Sequence, residues 1–138
     1  MSVALTGVQS HQVREFWPFV EDMISDALEE SGSDWTADEL LRGLARGSMQ
    51  LWLATSPERQ IEAALITHLR VQGETKCVIL AVVGEEPGRW LHLLDIVEQW
   101  AVHVGCKEIG FDGRRGWERL LPDYRVTRVF MKKELAHG

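Results

Sequence analysis

The chain has 138 residues, of which 45% are hydrophobic and 26% charged, and its formal net charge is −6. This size and balance predict one α/β domain with a single core, and the negative charge argues against generic nucleic-acid binding. No apolar run approaches the ~18 residues that a membrane span needs, and the start of the chain lacks the basic and apolar regions of a signal peptide. We therefore expect a cytoplasmic protein that does not enter a membrane.

The two cysteines, Cys77 and Cys106, are far apart and form neither a CxxC pair nor a cluster with histidines. This spacing predicts two free thiols rather than a disulfide or a metal site. Cys77 also has no residue near it in sequence that would activate it as a nucleophile.

Charge is unevenly distributed along the chain. Residues 15–39 contain nine acidic residues and no Lys or Arg, whereas residues 113–133 contain seven basic residues and two acidic ones. Two interpretations are open. The segments form solvated faces of opposite sign, or they form an acidic surface for a basic partner and a basic strip for an anionic ligand.

The first half of the chain predicts two helices and then a change of period. Apolar residues recur at spacings of three and four over residues 13–28, which indicates an amphipathic helix. Pro18 lies inside it, so we expect a kink, or a helix that begins near Trp17. Thr36 and Glu39 form a capping-box pattern that opens a shorter helix ending at Gly47.

The middle of the chain predicts an antiparallel meander followed by a long helix. Residues 49–55, 61–71 and 76–83 alternate or are continuously apolar between turn signals, as strands do. Residues 89–104 carry an apolar helical stripe and end before Gly105.

The last third predicts a strand over residues 107–113, a short helix over 114–121 and one final strand over 124–135. The strands on either side of the long helix should be parallel neighbours joined by a right-handed crossover. Eight residues are expected between the sheet and the long helix: Ile79, Ala81, Val83, Leu94, Val97, Ala101, Ile109 and Phe111.

The stretch VVGEEPGRWLHLL is where an apolar strand turns into the long helix. A strand that ends in a glycine-bearing turn at a helix start is typical of phosphate binding, because the first helical N–H groups are unpaired. Glu85 and Glu86 oppose this, since each carboxylate close to a diphosphate costs about 1 kcal/mol in water-like dielectric. An alternative is that these carboxylates themselves complement the helix dipole.

This order of elements resembles the GNAT superfamily of acyl-CoA-dependent N-acyltransferases over nearly the whole chain. The resemblance implies a mixed, twisted sheet with helices on both faces, in which the strands KCVILAVV and KEIGFDG splay apart around the pantetheine arm of acetyl-CoA. The turn GEEPGRW stands where the family holds the CoA pyrophosphate, in a pattern of the form (Q/R)xxGx(G/A). The ending GRRGWERLLPDYRVTRVFMKKEL also resembles short GNAT-like proteins of phage and prophage genomes.

The resemblance also implies site residues. Acetyl-CoA is expected to contact a set centred on the strand end and the turn: Val82, Val83, Gly84, Gly88, Arg89, Trp90, Arg114 and Trp117. Trp117 stands where the family usually has a tyrosine general acid, so Tyr124, the one tyrosine in the chain, is the phenolic candidate. His68 and Glu62 are the candidate bases. The alternatives are a packing tyrosine and two surface side chains.

Two functions of different class follow. One is an N-acyltransferase that moves an acetyl group from acetyl-CoA to an unknown amine, and the other is a GNAT-fold binding or virion-associated phage protein without catalysis. The architecture favours the first, whereas the missing family tyrosine and the acidic turn favour the second. The last predicted strand exposes an edge with Val126 and Phe130, which favours a homodimer over a monomer.

Overall fold

The computed structural model describes residues 3–111, 117, 119–127 and 131–136. Short 3₁₀ turns cover Ser10–Gln12, Pro87–Arg89 and Leu91–Leu93. In chain order, the longer elements are β1 (Ala4–Val8), α1 (Val13–Ser31), α2 (Ala37–Ala45), β2 (Met49–Thr55), β3 (Ile61–Gln72), β4 (Glu74–Gly84), α3 (Leu94–His103) and β5 (Glu108–Phe111).

The five strands form one mixed sheet in the order β1-β2-β3-β4-β5. The first three pairings are antiparallel, and β4 and β5 are parallel. The sheet confirms the predicted meander and the predicted parallel pair. α1 and α2 pack on one face of the sheet and α3 packs on the other.

The two N-terminal helices follow the sequence pattern closely. The apolar stripe of α1 is buried, and the helix begins at Val13, so the alternative start near Trp17 is wrong. The capping box of α2 is confirmed. The Thr36 hydroxyl accepts a bond from the Glu39 N–H at 3.2 Å, and the Glu39 carboxylate accepts one from the Thr36 N–H at 3.1 Å.

A β-bulge between β3 and β4 changes which residues face which helix. Ile66 pairs with Ala81 but Thr67 pairs with Ile79, so Leu80 is an extra residue on β4. The inward alternation of β4 therefore reverses at this point. The prediction that Ala81 and Val83 pack against α3 is wrong, because the bulge turns both toward α1.

The remaining six core predictions are confirmed. Ile79, Leu94, Val97, Ile109 and Phe111 form the cluster between the sheet and α3, and Ala101 is buried.

The long helix starts later than its apolar stripe predicts. α3 begins at Leu94, after the 3₁₀ turns over 87–89 and 91–93. Trp90 has φ −131° and ψ −13°, outside helical geometry, because its indole turns inward and its Nε1–H donates to the Glu85 carbonyl at 2.8 Å. That bond interrupts the helical path that residues 89–93 were expected to follow.

The two ends of the chain differ most from the prediction. β1 was not predicted, and it adds an edge strand beside β2. The described residues 124–127 and 131–135 form no strand, so the predicted final strand is wrong for them. Val126 and Met131 are 61% and 87% exposed, so burial of their side chains does not stabilise a strand there. A helical turn does begin at Trp117, whose carbonyl accepts bonds from Leu120 and Leu121 at 3.0 Å. Arg114 and Phe130 lie outside the described residues, and the homodimer stays a prediction.

No helix in the described part of the chain is both long enough and apolar enough to cross a bilayer.

Candidate active site

The described pairing of the parallel strands β4 and β5 is short. It runs from Lys76–Glu108 to Ile79–Phe111, while β4 continues to Gly84. Over its last residues, the described ladder bonds of β4 are those to β3.

A cleft of about 130 Å³ lies beside the end of β4. β4 supplies one wall, from Leu80 to Gly84, and the last turns of α1 supply another through Ala27, Leu28, Glu30 and Ser31. Phe111 and Trp117 complete the lining. The structure thus brings together Val82, Val83, Gly84 and Trp117, four of the residues predicted to contact acetyl-CoA.

Gly84 ends β4 in close contact with β3. A Cβ atom at this position would lie 2.7 Å from both the Glu62 carbonyl oxygen and the Ala63 Cβ. By contrast, a Cβ atom at Gly88 would have no heavy atom within 4 Å. The first glycine is therefore required by packing, whereas the second is not.

Two backbone donors of the turn after β4 are bonded within the turn. The Arg89 N–H bonds the Glu86 carbonyl at 2.9 Å, and the Trp90 N–H bonds the Pro87 carbonyl at 3.1 Å. These donors are therefore used within the turn rather than directed toward a bound anion. Glu86 has φ 49°, a left-handed conformation that costs an L-residue about 1–2 kcal/mol.

The fold brings Arg89 and Glu62 together, and their side chains form an ion pair. The guanidinium donates from Nε to one carboxylate oxygen and from Nη2 to the other at 2.9 Å. The Arg89 Nε also lies 3.9 Å from a Glu86 carboxylate oxygen. The hydrogen bond from Arg89, followed by its charge, holds the pKa of Glu62 below its usual value, although partial burial opposes this. Glu62 is therefore ionised at neutral pH and is a weak base.

His68 lies on the same face of the sheet as the cleft. It pairs across the sheet with Met49 and Val78, which both pack in the core under α1 and α2. Trp35 presents an edge to its ring, with centroids 6.5 Å apart. The His68 Nδ1 atom is buried and has no hydrogen-bond partner among the residues that the structure describes.

The surroundings of His68 favour its neutral form. Burial, and after it the charge of Arg70, lowers the pKa of His68 below 6.5. A neutral imidazole has one nitrogen that can accept a proton. His68 can therefore act as a base at neutral pH.

Tyr124 and Cys77 lie on the α3 side of the sheet. The Tyr124 hydroxyl donates to a carboxylate oxygen of Glu98, on α3, at 2.7 Å. Burial first, and then this bond, raises the pKa of Tyr124. Burial, followed by the nearby Cys106, raises the pKa of the Cys77 thiol to about 12, so Cys77 is protonated at neutral pH. Both cysteines are free thiols.

Comparison with solved structures identifies the architecture. A probable acetyltransferase matches with a TM-score of 0.70 at 12% identity, over 98% of each chain. A Trypanosoma brucei acetyltransferase matches at 0.66 and 13%, over 97% of this chain and 100% of the other. The ribosomal-protein-alanine N-acetyltransferase of Brucella melitensis biovar Abortus 2308 matches at 0.65 and 11%, over 99% and 100%.

The fold is that of the GNAT acetyltransferases. Neither a protein-family model nor a curated protein matches the sequence. Against the GNAT turn pattern (Q/R)xxGx(G/A), this chain has Glu85 at the first position, Gly88 at the glycine and Trp90 at the small residue. The turn therefore departs from the pattern at both ends.

Sequence reasoning missed the α1 wall and the extra residue Leu80. Ala27 and Ser31 carry no sequence signal for a site, because they meet β4 only through the fold. The bulge at Leu80 leaves no trace in a continuously apolar strand. The contacts that hold Tyr124, Glu62 and Arg89 join residues that are far apart in the chain, and the catalytic and CoA-binding roles of the site residues stay predictions.

Proposed function

We propose that the protein is an N-acyltransferase that transfers an acetyl group from acetyl-CoA to an amine. The observation that carries this is a cleft of about 130 Å³ between the end of β4 and the last turns of α1, beyond the described pairing of β4 with β5. The pantetheine arm of CoA has two amide groups, which would bond the backbone of β4 beyond its described pairing with β5. The apolar side chains of Leu80 and Val82 suit its methylene groups.

The reaction needs a base on the amine side. The amine nitrogen attacks the thioester carbonyl carbon, the new C–N bond forms, the C–S bond breaks, the amine gives up a proton and the CoA thiolate gains one. We assign the base to His68, which lies on the cleft face and has a neutral ring with an unpartnered nitrogen. Glu62 is held by Arg89, and Tyr124 donates to Glu98 on the opposite face.

The turn is expected to add little to donor affinity. Its Arg89 and Trp90 N–H groups are bonded internally, Arg89 faces Glu62 and Glu86, and Glu85 and Glu86 repel a diphosphate. The strand cleft and the thioester then supply most of the binding.

A second candidate is a GNAT-fold binding protein without catalysis, for example a virion-associated protein encoded by a phage or prophage. The internally bonded, acidic turn favours it, because CoA-dependent catalysis gains from a turn that is free to bind the diphosphate. This candidate predicts a protein that does not respond to acetyl-CoA.

A thermal-shift titration with acetyl-CoA separates the two candidates. A donor at 100 times its dissociation constant adds about 2.7 kcal/mol to the free energy of unfolding. Ala27→Phe fills the cleft from α1 and should remove the shift, whereas Ala4→Phe, an equal change on the exposed far edge strand, should keep it. An unshifted wild type at millimolar acetyl-CoA rejects the acyltransferase and leaves the binding protein.

A further inference from the structure

A second cavity lies behind the cleft, on the α3 face of the sheet. Its volume is about 30 Å³, and every described residue that lines it is hydrophobic. β1, β2 and β3 contribute Leu5, Ala54 and Leu65, and the segment before and into α3 contributes Leu91 and Val97. An apolar cavity of this kind stays dry and accepts apolar groups rather than water.

The cavity and the cleft share three side chains. Val82, Phe111 and Trp117 line both, although the two spaces lie on opposite faces of the sheet. These three side chains border both spaces and therefore stand between them. Trp117 packs edge-on against Phe111, with ring centroids 5.5 Å apart, and thereby forms part of the partition.

We propose that this cavity is an acyl-chain pocket, and that the preferred donors are thioesters of short apolar acids longer than acetate. The inference rests on the proposed acyltransferase function and specifies its donor. The acyl carbonyl stays in the cleft, and the carbons beyond acetyl pass between Val82 and Trp117 into the cavity.

The cavity volume limits the length of the acyl chain. An apolar cavity of about 150 Å³ accepts the six carbons of benzene, about 25 Å³ for each, so about 30 Å³ has room for about one carbon. A propionyl group fits this space, whereas an octanoyl chain exceeds it. Each methylene that enters should tighten binding about fourfold, as burial of one CH₂ group does.

Calorimetric titration tests the proposal without an amine, so the unknown acceptor does not enter. The protein is titrated with CoA, acetyl-CoA, propionyl-CoA, butyryl-CoA and octanoyl-CoA. Propionyl-CoA should bind about fourfold more tightly than acetyl-CoA, and octanoyl-CoA should bind no more tightly than butyryl-CoA. Equal affinity for acetyl-CoA and the longer thioesters overturns the pocket but leaves the acyltransferase, whereas failure of all five ligands to bind overturns both.

Substitutions of two alanines test whether this cavity causes the preference for propionyl-CoA. Ala54→Val fills the cavity and should abolish the difference between acetyl-CoA and propionyl-CoA without changing the affinity for CoA. Ala101→Val, which alters a buried alanine that does not line the cavity, should keep the difference. A preference for propionyl-CoA that survives Ala54→Val rejects this cavity as the pocket.

A variant that enlarges the cavity provides an independent test of the acyl-chain pocket if Ala54→Val does not fold. Leu91 is half-buried, so Leu91→Ala should leave the protein folded. The longest chain that still gains affinity should then increase by about one or two carbons. An unchanged length limit in Leu91→Ala contradicts the proposal.

Discussion

The strand cleft and the turn beside it are adjacent parts of one candidate site, yet they are built in opposite ways. In the cleft, β4 continues over Leu80–Gly84 past its described pairing with β5, and these residues line a space of about 130 Å³. In the turn, the Arg89 and Trp90 N–H groups and the Arg89 guanidinium are bonded to the protein itself. The cleft is thus preorganised for a ligand, whereas a ligand at the turn must first displace internal bonds.

The cleft and the turn also differ in charge. The lining of the cleft is mostly apolar, with Glu30 and Ser31 at the α1 side. The turn carries Glu85 and Glu86, and Arg89 faces Glu62 and Glu86. A CoA thioester should therefore gain more affinity from its pantetheine arm and acyl group than from its diphosphate.

The largest effect is expected for His68, on the cleft face of the sheet. His68→Asn should reduce amine acetylation at least 100-fold, the usual loss when a general base is removed. His103→Asn, which changes an exposed histidine on α3, should not. The assay follows acetyl-CoA-dependent thiol release with a panel of amines. Wild-type turnover in His68→Asn excludes His68 as the base.

The same histidine predicts a pH dependence of stability. Because burial lowers the pKa of His68 in the folded state, the unfolded chain binds more protons below pH 6.5. The contribution of His68 to the free energy of unfolding should be constant well above pH 6.5. It should fall as the pH is lowered from 6.5 through the depressed folded-state pKa of His68. Denaturant unfolding of the wild type and His68→Asn across this range measures the difference in the pH dependence of their free energies of unfolding. This difference should disappear above pH 7.

The end of β4 is expected to tolerate no side chain. Gly84→Ala should lower the free energy of unfolding by about 1–3 kcal/mol, because its Cβ meets the β3 backbone. Gly88→Ala, in open space within the turn, should change it by less than about 0.5 kcal/mol. Similar stability losses in the two variants contradict the packing role given to Gly84.

Neutralising the turn should improve donor binding. Glu85→Gln with Glu86→Gln should tighten acetyl-CoA binding about tenfold at low salt, since each carboxylate opposes the diphosphate by about 1 kcal/mol or less. The gain should shrink at high salt. Glu21→Gln with Asp22→Asn removes the same charge from the exposed face of α1 and should have little effect. An equal gain from both pairs assigns it to net charge rather than to the turn.

The smallest effect is expected for the ion pair between the turn and β3. Glu62→Gln should tighten acetyl-CoA binding a few-fold, because it frees Arg89 for the diphosphate, and Arg89→Gln should cancel that gain. Calorimetry on the two single variants and the double variant measures the coupling. If Glu62→Gln instead lowers turnover strongly with unchanged affinity, Glu62 is the base.

Much of the fold was predictable because its elements have strong local signals. The α1 stripe, the Thr36 capping box and the alternating β2 and β3 strands each carry a period or a cap that packing then reinforced. β1 carries a weaker signal. Its residues, ALTGV, are too few and too exposed to alternate clearly, and only pairing with β2 defines them as a strand.

The site was less predictable because long-range contacts determine it. Ala81 and Val83 change faces through a bulge that an all-apolar strand conceals. Trp90 reads as part of a helical stripe, yet the bond from its indole to Glu85 delays the helix. The placement of Tyr124 depends on Glu98, and that of Glu62 on Arg89, and neither pair is close in sequence.

The central claim is that a CoA thioester binds along the end of β4, Leu80–Gly84. Hydrogen exchange with and without saturating acetyl-CoA tests it directly, since bonds to the pantetheine amides should protect amides within Leu80–Gly84. The account predicts added protection in that segment and none in β2, Met49–Thr55, on the far side of β3. Unchanged exchange over Leu80–Gly84 at a concentration that saturates binding would contradict it.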